Sequence, residues 1–248
     1  MFRHGRWLLL CLLCQPAGAA ELDPLNSPQW GAMHSRFLKG EPYVFDDKVK
    51  VDAPADAEDS LNVPVAFDAS ALSGIQEIVV VSDLNPLPHV LNFRPKTVPA
   101  SLAFRMKLQQ GSPIRVAAKT ADGVWHVGST YVNAAGGGCT LPSVGTSSGD
   151  WSKSLGQVSA NVWERAENNR LRIRVMHPMD TGLASGIPNF YIENLNVKDA
   201  QGNLLAELDL YEPISENPML SLDVGKATTF KLEGRDNNGN KIAAEVTR

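Results

Sequence analysis

A chain of 248 residues, 43% hydrophobic and 20% charged, is long enough for one large core or two ordinary ones and too apolar to stay disordered. Its 27 acids against 23 bases leave a formal charge of −4, a poor match for nucleic acid or an anionic membrane surface. No apolar run reaches the roughly 20 residues that a membrane-spanning helix needs.

The first twenty residues differ from the rest. Arg3, His4 and Arg6 form a basic start, Trp7 to Leu13 an apolar run, and Ala17-Gly18-Ala19-Ala20 a small-residue cleavage region. That is the layout of a secretory signal peptide, so residues 1–20 are expected to be removed and the mature chain to be exported. Neither Cys11 nor Cys14 follows a small residue, which argues against a lipid anchor, and Arg3 and Arg6 are not adjacent, which argues against twin-arginine export. Removal takes away two bases and no acid, shifting the formal charge from −4 to −6, and leaves Cys139 as the single cysteine. A lone thiol in a disulfide-permissive compartment is buried and inert, paired with another molecule, or reactive.

Residues 28–40 have the pattern of a short helix, with Ser27 as N-cap and Gly40 at the stop. Beyond it, alternating or β-branched runs predict strands at 48–52, 61–68, 75–82, 101–109, 113–119 and 124–132. Phe104, Met106 and Leu108 alternate with Arg105 and Lys107, which places the two bases on a wet face. The pattern stops at Asn133. Residues 134–150 are small or turn-forming and carry no charge before Asp150, which is linker composition. A second series follows at 155–164, 170–176, 189–198, 203–210, 219–224, 227–233 and 240–247, with turns at Asp199 to Gly202 and Asp236 to Gly239. The expected fold is all-β: two sandwiches, 21–133 and 151–248, joined by a glycine-rich arm at 134–150.

Cys139 lies in that arm, in Gly136-Gly137-Gly138-Cys139-Thr140-Leu141-Pro142. Three glycines have no side chains to pack, so the segment is expected to be mobile and the thiol exposed, with a reach of roughly 20 Å from Asn133. A thiol of near-ordinary pKa is a competent nucleophile. No His, Lys or Arg lies between His126 and Lys153 to activate it. The alternative is a linker with an incidental cysteine, disfavoured because an exposed thiol invites cross-linking in an oxidising compartment.

The first half resembles the sulfur carrier subunit SoxY, and the second its partner SoxZ. The SoxY-like stretches are Asn85-Pro86-Leu87-Pro88 with Phe93 after Ile78-Val79-Val80-Val81, then Val124-Trp125-His126, Tyr131-Val132 and the Gly-Gly-Gly-Cys139 arm. The SoxZ-like stretches are His177-Pro178-Met179-Asp180-Thr181-Gly182, Ser215-Glu216-Asn217-Pro218 and Asp236-Asn237-Asn238-Gly239. The resemblance implies two immunoglobulin-like sandwiches and a periplasmic carrier, not an enzyme, holding oxidised sulfur intermediates on Cys139 of a swinging arm. It needs no cofactor and no metal. Its implied partners are Sox-type enzymes: a haem-containing loading enzyme, a thiol-linked sulfate hydrolase and a sulfane dehydrogenase. The family's arm is Gly-Gly-Cys-Gly-Gly at a free chain end; here Thr140-Leu141-Pro142 and a whole domain follow the cysteine. Fused carriers of this kind accompany quinoprotein alcohol dehydrogenases, which implies a quinoprotein dehydrogenase system as the other partner and leaves the carried group open.

Two rival functions are an accessory or binding module built from tandem sandwiches, and a copper or redox accessory using His177, Met176 and Met179. A strand end followed by a proline turn accounts for those three residues structurally. His89 and His126 have the character of half-buried histidines, and Asp46-Asp47 and the run from Asp56 to Asp59 that of solvated turns. No Ser-His-Asp motif, P-loop or dinucleotide fingerprint is present.

Overall fold

The computed structural model describes residues 22–144 and 151–248. The expected signal peptide, 1–20, and positions 145–150 of the expected arm lie outside the described residues. The N-terminal half supplies a helix, α1 (Trp30–Phe37), and strands β1 (Tyr43–Phe45), β2 (Lys50–Asp52), β3 (Val63–Asp68), β4 (Ile75–Ser82), β5 (His89–Pro95), β6 (Ser101–Met106), β7 (Ser112–Thr120) and β8 (Trp125–Val132). The C-terminal half begins with a 3-10 turn at Trp151–Lys153 and continues with β9 (Val158–Trp163), β10 (Arg170–Val175), β11 (Asp180–Thr181), β12 (Asn189–Phe190), β13 (Ile192–Asp199), β14 (Leu204–Leu210), β15 (Met219–Asp223), β16 (Thr229–Asp236) and β17 (Lys241–Thr247). The fold is all-β, with two immunoglobulin-like sandwiches.

The sandwiches are fused edge to edge. One sheet runs β1-β8-β7-β4-β5-β14-β13-β16-β17, and the facing sheet runs β2-β3-β6-β15-β10-β9. The seam in the first is the antiparallel pair β5–β14, in register from Leu91↔Leu210 to Pro95↔Ala206. In the second it is β6–β15, through Ser221↔Ala103. One apolar core crosses the seam, taking Phe93, Met106 and Leu108 from one half and Leu208, Leu210 and Ile214 from the other. Arg94 closes the outer side of the seam, donating to Glu77 at 3.0 Å and to Asp209 at 2.7 Å.

Strands β3 and β6 alternate as a half-wet sheet requires, with Val63, Val65 and Phe67 buried on one and Leu102, Phe104 and Met106 on the other. Strand β7 and most of β4 are buried on both faces. The reason is α1: its Trp30 and Met33, with Leu38, pack on Val79, Val81, Ala117, Trp125 and Val127 across the outer face. Ser27 does not cap this helix through N2 or N3, contrary to expectation. Gln29 holds the cap position without a side-chain bond, and the Ser27 hydroxyl accepts only the Gln29 N–H at 3.3 Å. The helix ends through Lys39 and Gly40, both at positive φ. Upstream, the Asp23 carboxylate binds buried Arg115 at 2.7 Å, and Asp83 holds the same guanidinium at 3.0 Å, pinning the start of the described chain to β7.

Candidate functional site

The arm is docked. After β8, Gly136 and Gly137 take φ of +107° and +85°, conformations that glycine adopts without strain, and turn the chain back onto the β6–β7 connection. The Gly138 N–H donates to Leu108 O at 3.1 Å. A Cβ on Gly138 would stand against Ser60 O and 2.5 Å from Leu108 O, so this glycine serves close backbone approach as well as conformational freedom. The Cys139 N–H donates to Gln109 Oε1 at 3.1 Å. The Thr181 hydroxyl donates to the Cys139 carbonyl at 2.5 Å. Downstream, the Ser143 N–H reaches Asp180 Oδ1 at 2.9 Å, and the Val144 N–H reaches Glu216 Oε2 at 2.8 Å.

This geometry corrects the expectation of an exposed thiol on a free arm. Cys139 is 0% exposed, with its Sγ directed at the Lys107 carbonyl at 3.9 Å. Glycine composition signalled the absence of side chains to pack. It did not exclude the segment from filling a groove made by others.

The groove is built from the stretches that the sequence singled out. Asn85 bridges the loop beneath the thiol, its Nδ2 donating to Lys107 O and its Oδ1 accepting the Gln109 N–H, both at 2.9 Å. The hexapeptide from His177 to Gly182 forms the opposite wall, with Met179 at positive φ and its Sδ accepting the Ile192 N–H at 3.3 Å. Asn217 holds that wall through its Oδ1, which accepts the His177 N–H at 3.1 Å. Ser215 ties the halves together, donating from Oγ to Leu61 O at 2.7 Å and from N–H to Arg105 O at 3.0 Å.

Lys107 is the participant that sequence reasoning missed. Expected on the wet face, it is 3% exposed. Strand β6 ends at Met106, so alternation no longer governs the next residue, and the chain turns the lysine inward. Its N–H donates to Pro213 O at 2.7 Å, and its Nζ donates to the carbonyls of Met179 and Glu212 in the other half. Burial pulls its ammonium down to about 8, and the Cys139 thiol is the strongest opposing influence. Burial pushes the thiol up to about 11, against the pull of Lys107. Burial thus disfavours the charged form of both groups, and each charge would favour the other.

The remaining candidates hold structural positions. His177 accepts the Met179 N–H on Nδ1 at 3.1 Å, presents Nε2 to Asp236 at 3.4 Å and packs on Phe190. The Met179 sulfur already accepts a backbone donor, and His177 spends its Nδ1 on the turn. Among the described residues no cluster of His, Cys, Asp or Glu is arranged to hold a metal. His89 stacks on Tyr211 across the seam, and His126 pairs with Asp46 at 2.8 Å. Asp59 caps its own turn through the Leu61 N–H.

Residues 34–139 match the family described as sulfur oxidation protein SoxY, and residues 161–247 the family described as sulphur oxidation protein SoxZ. The chain belongs to the SoxY and SoxZ families, fused in one polypeptide. It is a sulfur carrier of the fused SoxYZ type, and the SoxY match ends on Cys139. Among solved structures, the sulfur carrier protein SoxY from Chlorobium limicola f thiosulfatophilum is similar at 19% identity, covering 43% of this chain and 96% of that one with a TM-score of 0.38. No curated protein matches the chain.

Proposed function

We propose that this fused SoxYZ is a periplasmic carrier that holds sulfur-compound intermediates covalently on Cys139 and performs no catalysis itself. The observation that carries the reading is the position of Cys139: the SoxY match ends on it, and it is the single cysteine outside residues 1–20. On this reading the docked arm is the resting state. Three backbone anchors, at Gly138, Cys139 and the Cys139 carbonyl, hold the tip. Each is worth about 0.5–1.5 kcal/mol net, so release costs a few kcal/mol, well within what a partner's binding supplies. Released glycines also regain conformational entropy.

The partners proposed are enzymes of the Sox type, namely a haem-containing loading enzyme, a thiol-linked sulfate hydrolase and a sulfane dehydrogenase, or else a quinoprotein dehydrogenase system. Because Thr140 continues into the SoxZ part, the arm enters a partner as a loop closed at both ends.

Tetrathionate provides a test. The Cys139 thiolate attacks a sulfenyl sulfur, the central sulfur–sulfur bond breaks, thiosulfate leaves with the electron pair, and the thiol proton goes to solvent. Intact mass is expected to show one adduct, removed by reductant and absent from Cys139→Ser. A native protein that takes no adduct, or a Cys139→Ser protein that takes the same one, contradicts the proposal.

A further inference from the structure

Lys107 is a buried ammonium whose hydrogen bonds go to two neutral carbonyls, Met179 O and Glu212 O. Among the described residues no carboxylate lies within ion-pair distance of it. A buried charge without a counter-charge is costly. The two side chains share one berth: Met179, whose carbonyl receives the Lys107 Nζ, lies two residues from Thr181, whose hydroxyl holds the Cys139 carbonyl, and the Cys139 Sγ sits 3.9 Å from the carbonyl of Lys107 itself. The berth thus combines a desolvated positive charge with a side chain that is neutral as a thiol and becomes charged when an anionic group is attached. Lys107 is anchored on the SoxZ wall rather than on the arm, so it stays in place when the arm shifts to make room for an adduct.

We infer that Lys107 is the counter-charge for an anionic sulfur group on Cys139, so that the berth holds an arm loaded with such an anion more tightly than one loaded with a neutral group of like size. The inference rests on the carrier reading above and adds the residue that answers the cargo's charge in the docked state. An ammonium and an anion brought together in a desolvated site attract far more strongly than in water. A neutral adduct gains nothing from Lys107 and still has to be accommodated.

Two reagents separate charge from bulk. Tetrathionate leaves –S–SO3⁻ on the cysteine sulfur. Methyl methanethiosulfonate leaves –S–CH3, the thiolate attacking the methylthio sulfur, the sulfur–sulfur bond breaking and methanesulfinate departing with the electron pair. Amide hydrogen exchange at Gly138 and Cys139 reports docking, because both N–H groups are bonded in the berth. The expected result is at least about tenfold greater protection with the anionic adduct, although it is the bulkier one. Lys107→Met is expected to abolish the difference and Lys107→Arg to keep much of it. Equal protection of the two wild-type adducts overturns the inference without any variant, as does a difference that survives in Lys107→Met. If the native thiol accepts neither group, the carrier reading falls and this inference with it. If both attach and protection is equal, the carrier reading stands and Lys107 loses its role.

Discussion

Two buried titratable side chains set the character of the site, and a third sets its wall. Cys139 and Lys107 each pay for burial in the opposite sense, the thiol rising to about 11 and the ammonium falling to about 8. His177 is held neutral by burial, at about 4 against an ordinary 6.5. Its folded value lies below the unfolded one, so its contribution to stability is intact above about pH 6.5 and is lost as pH falls through 4. Protonation there also removes the acceptor that Nδ1 offers to the Met179 N–H. In His177→Asn the side-chain oxygen can take over that acceptance, and the titration is gone. Denaturant unfolding between pH 6.5 and 4 should show a shallower loss of stability in the variant than in the wild type. An unchanged slope would remove His177 as an acid-sensitive support of the hexapeptide.

Elements, not single residues, decide whether the thiol can be seen. The docked tip depends on Gly138, where a Cβ meets Ser60 O and Leu108 O. Gly138→Ala should therefore eject the arm while leaving the sheets intact, and native-state alkylation of Cys139 should accelerate at least about tenfold, since the wild-type thiol is desolvated and protonated. Equal alkylation rates, with the fold retained by circular dichroism, would show that docking does not control access. Most strands were legible in the sequence because alternation and turn residues mark them: β3, β6, β13, β14, β16 and β17 follow from local pattern, and Asp199 and Asp236 close the turns as their motifs imply, accepting from Gly202 and Gly239 at 3.0 Å. Strand β5 was not legible. His89 to Pro95 lies between Pro88 and Pro95 and has no clean alternation, yet it forms the seam with β14. The same holds for the berth. The motifs were visible one by one, but their convergence on Lys107 and Cys139 joins residues over 30 apart along the chain. Glycine content alone could not distinguish a free arm from one lying in a groove.

At the scale of the whole molecule, the seam makes the halves one cooperative body. Both sheets and the core cross it, and Ser215, Arg94 and Lys107 add polar ties. A protease site placed within 145–150 should be cut without separating the fragments, which should co-elute in size-exclusion chromatography at micromolar concentration and unfold in one transition. Phe93→Ala, at the seam, should cost about 3–5 kcal/mol and lower that single transition rather than split it. Fragments that elute apart would make the halves independent domains and leave the berth without its wall. The central claim is that Cys139 carries the cargo. The most direct measurement is the intact mass of the protein from its native source, grown on a reduced sulfur compound, with and without reductant and beside Cys139→Ser. The account predicts a reductant-sensitive mass increment confined to the peptide containing Cys139 and missing from the variant. An unmodified wild-type mass, or an increment that persists in Cys139→Ser, would contradict it.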